Sequence, residues 1–159
     1  TVYVSLQFDI PQVLQESSGM QDAEDKFGNA KKSKILLVDD DETTQLHVKR
    51  LLKKQGVFVV EAQNGQDALD KLATDSFDCI LMDIQMPIMD GFTTVNLIRN
   101  GMPKHIARLP VLAITAHANI AQQERFKQSG FNDFVFKPFE PQQLFIAIER
   151  QLQRAEKQF

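Results

Sequence analysis

Five short apolar runs, at residues 35–38, 57–60, 79–82, 111–114 and 134–136, recur along this chain, and a stretch with apolar residues at helical spacing separates each from the next. Several runs are rich in β-branched or aromatic residues, as strands buried on both faces require. The stretches that follow carry one-sided stripes: Val48, Leu51 and Leu52; Ala68, Leu69 and Leu72; Phe92 and Val95; apolar positions within 120–126; and Leu144, Phe145, Ile148 and Leu152. Gly56 and Gly130 stand where helices need a left-handed residue to stop, and Asn64 and Asn119 where the next helices need an N-cap. Strand and helix therefore alternate five times, which predicts an α/β fold with a parallel sheet and right-handed crossovers.

The first 33 residues follow another pattern. Val2, Val4, Leu6, Phe8 and Ile10 alternate with polar residues and Pro11 ends the run, so 1–11 reads as a half-buried strand without a partner. Residues 12–33 hold a polar stretch rich in Ser, Gly, Asp and Lys without a sustained period and read as a linker. The compact domain is expected over 34–154, with 155–159 as a tail.

Bulk properties narrow the function. The 159 residues carry a net charge of −3 and no extended basic run, which argues against a nucleic-acid partner. No apolar stretch approaches the ~20 residues that cross a bilayer, and the N-terminus lacks the marks of a secretory signal, so no membrane contact and a cytoplasmic setting are expected. The single cysteine, Cys79, lies inside an apolar run and reads as a buried small side chain rather than a nucleophile.

In an open parallel sheet the carboxyl ends of the strands share one edge, and ligands bind there. Strand one ends in Asp39-Asp40-Asp41, strand three in Asp83, strand four in Thr115-Ala116 and strand five in Lys137-Pro138. Clustered carboxylates raise one another's pKa, and a hard divalent cation with oxygen ligands relieves them, Mg2+ being the ion such a set favours. With that charge neutralised, Asp83 can act as a nucleophile toward phosphorus, and Mg2+, the Thr115 hydroxyl and the Lys137 ammonium can meet the oxygens of the acyl phosphate.

Four motifs in order, "ILLVDDDE", "ILMDIQMPIMDG", "VLAITA" and "FVFKPF", make residues from about Lys34 to about Gln153 resemble the receiver domain of two-component response regulators. The resemblance implies a flavodoxin-like (βα)5 doubly wound sheet with strand order 2-1-3-4-5. It implies that Asp83 is the phosphoacceptor, that Asp40 binds Mg2+ directly with Asp39 acting largely through water, and that the backbone carbonyl of Gln85 completes the metal set. Thr115 and Lys137 would hold the phosphoryl oxygens, Thr115 and Phe134 would form the switch, Gln85 and His117 would sit at the rim, and Lys137-Pro138 would be a cis peptide. "MDIQMP" and "ITAHA" resemble receivers fused to kinases. With 1–11 resembling the last strand of a kinase ATP-binding domain, the parent chain would be a hybrid sensor histidine kinase. Partners would then be a histidine kinase or a histidine phosphotransfer domain, with dimerisation allowed, and this segment would catalyse only its own phosphorylation and dephosphorylation.

Competing readings are specific. Asp41 suits an N-cap for a helix beginning near Glu42, Asp90-Gly91 suits a turn, and His47 and His105 read as exposed spectators. "ILLVDDDET" also fits haloacid-dehalogenase-type phosphatases, with Asp39 as nucleophile and Asp41 as acid, but those enzymes need an acidic pair after the lysine and this chain has none at a strand end there. A flavodoxin would place phosphate-binding donors after strand one, where three acids stand instead.

Overall fold

The computed structural model describes residues 33–116 and 120–157. The expectations for 1–32, for His117 and for Asn119 lie outside the described residues. The elements run β1 (Lys34–Val38), α1 (Glu42–Lys54), β2 (Phe58–Ala62), α2 (Gly65–Thr74), β3 (Cys79–Asp83), α3 (Gly91–Gly101), α4 (Lys104–Ala107), β4 (Val111–Thr115), α5 (Ile120–Ser129), β5 (Asp133–Phe136) and α6 (Pro141–Lys157). The strands are parallel in the order β2-β1-β3-β4-β5, the order the resemblance implied.

Side chains alternate across a strand, so each central strand feeds two cores. Leu36, Val38, Ile80, Met82, Val111 and Ala113 pack on one face with Ala68, Leu72, Val95, Ile98 and Phe126. Ile35, Leu37, Cys79, Leu81, Leu112 and Ile114 pack on the other with Val48, Leu52, Leu144 and Ile148. This explains why β1, β3 and β4 read as unbroken apolar runs. The edge strands differ: β2 and β5 are only part-buried, and Phe58 is 63% exposed.

Three features depart from the sequence reading by more than a one-residue shift at a strand end. β2 runs 58–62 rather than 57–60, because Val57 closes the preceding helix. Gly56, at φ +79°, donates to Lys53 O and Val57 N donates to Leu52 O, a Schellman stop whose apolar contact joins Val57 to Leu52. The polar Glu61, paired with Lys49 at 3.1 Å, hid the end of the strand, where Glu61 and Ala62 stand opposite Leu37 and Val38. Secondly, an extra short helix, α4, follows α3: the chain is extended at Met102 ahead of Pro103, then turns again and buries Ile106.

The third departure concerns Asp90-Gly91, which is not an isolated turn. Asp90 caps α3, accepting from Thr93 N at 2.7 Å, and Gly91 opens the helix. A Cβ on Gly91 would lie 2.5 Å from Asp83 O and 3.0 Å from Ile84 Cα, so glycine is needed for close approach to the end of β3. Asp41 and Asn64 cap α1 and α2 as expected, and Gly130, at φ +103°, follows α5 with Phe131 N donating to Phe126 O.

Arg99 joins α3 to two loops. Its guanidinium donates to Ala107 O, Leu109 O, Gly130 O and Asn132 Oδ1, so a part-buried cation is held by neutral acceptors. Burial lowers its pKa.

Candidate acidic phosphotransfer site

At the carboxyl edge of the sheet, β1 and β3 end side by side. Val38 pairs with Met82, which brings the following residues, Asp39 and Asp83, together. Oxygens of Asp39, Asp40 and Asp83 all lie within 4.8 Å of one another. Asp39 is 1% exposed and Asp83 9%, whereas Asp40 faces solvent. From the end of β5, Lys137 Nζ reaches Asp39 Oδ2 at 3.3 Å and Asp83 Oδ1 at 3.8 Å.

Asp83 carries the electrostatic cost of this arrangement. Its carboxyl is pushed up from 3.8 to about 6, by burial first and by the charge of Asp39 second. Lys137 and the Ile84 N–H, which donates to Asp83 Oδ1 at 2.8 Å, offset only part of that. The Lys137 ammonium contacts two of the three carboxylates, and all the clustered acceptors are hard oxygens, so the set fits a small divalent cation.

Asp39 is fixed by its neighbours. Its N–H donates to Ala62 O at 3.1 Å, its Oδ1 accepts from Asp41 N at 2.9 Å, and its carbonyl accepts from Gln45 Nε2 at 2.7 Å. Asp41 does not join the cluster. Its carboxylate accepts from Thr43 N, Thr44 N and Thr44 Oγ1, and the Thr44 hydroxyl is the chief cause of a pKa below the usual value. Asp41 thus serves as the N-cap of α1, the role the sequence suggested for it, and stands outside the carboxylate cluster.

Thr115 ends β4, is 4% exposed and pairs with Phe136, and its carbonyl accepts from Lys137 N at 2.8 Å. The Lys137-Pro138 peptide is cis, as the resemblance implied. Phe134 is part-buried in a run of rings, 5.7 Å from Phe126 and 5.2 Å from Phe136; Phe126 stacks on Phe92 at 5.5 Å. Gln85 is exposed in the loop after β3. His47 and His105 are exposed, and Cys79 is buried with its thiol pushed up to about 12 by burial.

The loop from Asp83 to Gly91 is tightly built. Ile88 has φ +70° and is 83% exposed, with Met89 N donating to Pro87 O across it at 2.7 Å, a γ-turn of the less common hand. A β-branched residue at positive φ costs about 1–3 kcal/mol. Gly91 N then donates to Ile84 O, returning the chain against the end of β3.

The description of the response regulator receiver domain matches residues 35–149. This chain belongs to that family. It is 38% identical over 124 residues to hybrid signal transduction histidine kinase I of Dictyostelium discoideum, covering 75% of this chain and 7% of that protein. It is also 38% identical over 112 residues to the sensor histidine kinase GacS of Pseudomonas protegens, covering 70% of this chain and 12% of that one. The chain thus spans a small fraction of these curated relatives. A receiver domain of a Pseudomonas aeruginosa sensor histidine kinase, solved with magnesium in its active-site cleft, superposes with a TM-score of 0.70 at 30% identity, covering 76% of this chain and 98% of that one. As a receiver, the domain takes part in two-component phosphorelay signalling. Among the described residues no helix is long and apolar enough to cross a membrane.

Proposed function

We propose that Asp83 accepts a phosphoryl group from a phosphohistidine, with Mg2+ held by Asp39, Asp40, Asp83 and the backbone carbonyl of Gln85. The observation that carries this reading is the meeting of three carboxylates from two strand ends with the Lys137 ammonium. Bound Mg2+ would supply the positive charge that lets a carboxylate approach a phosphoryl group. The transfer itself forms an O–P bond to Asp83 while the donor's N–P bond breaks and its electron pair returns to the imidazole. Lys137, already beside Asp83, offers donors to the phosphoryl oxygens, and the Thr115 hydroxyl does the same from the next strand. Drawing Thr115 toward the new charge would loosen the packing around Phe134 and alter the β5 surface. Gln85 and His117, two residues beyond Asp83 and Thr115, are the candidates for controlling water access to the acyl phosphate.

We infer that the partners are a histidine kinase and a histidine phosphotransfer domain, and that the parent chain is a hybrid sensor kinase. The support is the naming of the 38% identical relatives as a hybrid and a sensor histidine kinase. Mass spectrometry after treatment with acetyl phosphate and Mg2+ tests the site: one phosphoryl group is expected on Asp83, and none in Asp83→Ala. Labelling that persists in Asp83→Ala but disappears in Asp39→Ala would overturn the assignment in favour of phosphatase-type chemistry.

A further inference from the structure

We propose that Gln45 is the positioning residue of the acidic site: its side-chain amide fixes the peptide that aims Asp40. Gln45 lies in the first turn of α1, on the same face as Val48 and Leu52, and is buried. Its Nε2 donates to two carbonyls that follow or end different strands, Asp39 O at 2.7 Å and Ala62 O at 2.9 Å. Ala62 O also accepts from Asp39 N at 3.1 Å. Both hydrogens of the amide are thereby spent, one on each strand end, and α1, β1 and β2 are tied at one point.

The consequence falls on Asp40. The Asp39 carbonyl belongs to the peptide that links Asp39 to Asp40, so holding that oxygen sets the plane from which the Asp40 side chain departs. Asp39 has other restraints on its carboxylate, from Asp41 N and Lys137. Asp40 is exposed and, among the described residues, nothing donates to its carboxylate, so the restraint the fold supplies is the backbone, which sets the Cα–Cβ direction from which that carboxylate reaches the cluster. Groups behind a metal ligand that hold it in place commonly affect affinity by about 10–100-fold when removed. A small divalent cation with strict octahedral demands is sensitive to a ligand that swings. Glutamine suits the position because it donates twice and carries no charge; glutamate would set a carboxylate against two carbonyl oxygens.

This inference rests on the Mg2+ reading above, and the experiment separates the two. Calorimetric titration of Mg2+ into the full 159-residue chain is run on wild type, on Gln45→Met, which keeps the length but removes both donors, and on Val48→Ala. The last variant opens the core one turn along the same face without touching the loop. Urea midpoints are measured on all three. Gln45→Met is expected to bind Mg2+ about tenfold more weakly than wild type, while Val48→Ala, though destabilised, retains wild-type affinity. Wild-type Mg2+ affinity in folded Gln45→Met overturns the positioning role and leaves the metal reading standing. Equal weakening in Val48→Ala overturns it too, since general loosening then suffices. Absence of Mg2+ binding in wild type sinks both. A measurement on the unaltered chain guards against a variant that does not fold: both Gln45 Nε2 protons are expected to be protected from solvent exchange in NMR. Free exchange overturns the proposal.

Discussion

Replacing Asp83 by asparagine is expected to stabilise the metal-free domain at neutral pH, although the residue stands at the centre of the site. Asp83 titrates at about 6 in the fold against 3.8 ordinarily, the rise coming first from burial and then from Asp39. Between those values the folded state binds more protons at this position than the unfolded chain does. Stability therefore falls as pH climbs from about 4 to about 6 and stays reduced above that. The full shift corresponds to about 3 kcal/mol. Solvent reaching the cluster from the exposed Asp40 side screens part of it, leaving an expected gain of about 1–2 kcal/mol. Asparagine keeps an oxygen for the Ile84 N–H, and Lys137 keeps Asp39. For a domain of this size the gain raises Tm by about 4–8 °C. Thermal unfolding in chelator at pH 7 and pH 4 measures it: the variant should melt higher at pH 7 and level with wild type at pH 4. The same exchange at Asp75, whose carboxyl is held below its usual value chiefly by the Lys34 ammonium, should have the opposite sign at pH 7. If Asp83→Asn melts at or below wild type at pH 7, the ionised carboxylate is not under strain and the electrostatic account of the site is wrong.

Asp40→Ala should cost most of the Mg2+ affinity and little stability, whereas Asp41→Ala should leave affinity intact and lower the urea midpoint through the lost helix cap; paired titrations and urea curves separate them. Arg99→Met should destabilise by about 2–4 kcal/mol in urea unfolding, because the carbonyls of Ala107, Leu109 and Gly130 lose a part-buried donor together. Gly91→Ala, whose new methyl would press on Asp83 O, should slow labelling by acetyl phosphate more than it weakens Mg2+ binding, read by a labelling time course beside calorimetry.

The sheet and the charged centre of the site were legible in the sequence for a shared reason. Buried parallel strands leave continuous apolar runs, and a polar residue directly after such a run must sit on the ligand edge, as Asp39, Asp83 and Lys137 do. Their contacts with one another then follow from strand order. Glu61 obscured the end of β2 because a residue on an edge strand can be polar without breaking the ladder. Gln45 left a signal that was not read: it stands three and seven positions before Val48 and Leu52, on the stripe facing the core, where a polar side chain needs buried partners. Arg99 left none, since its acceptors are main-chain carbonyls that any residue would provide. The close approach at Gly91 was hidden by the resemblance of Asp-Gly to an ordinary turn.

The site's charged groups come from positions 39, 40, 83 and 137, which meet only when β1, β3 and β5 share one sheet. The central pair, β1 and β3, is joined through an intervening strand and two helices, so the chain closes a long loop before Asp39 can face Asp83. Such non-local pairing slows folding. A nascent chain that has emerged only as far as β2 has two of the carboxylates and no site. The carboxylates' mutual repulsion therefore arises as soon as β1 and β3 pair, whereas the Lys137 ammonium that offsets it arrives only with β5, the last strand in the chain.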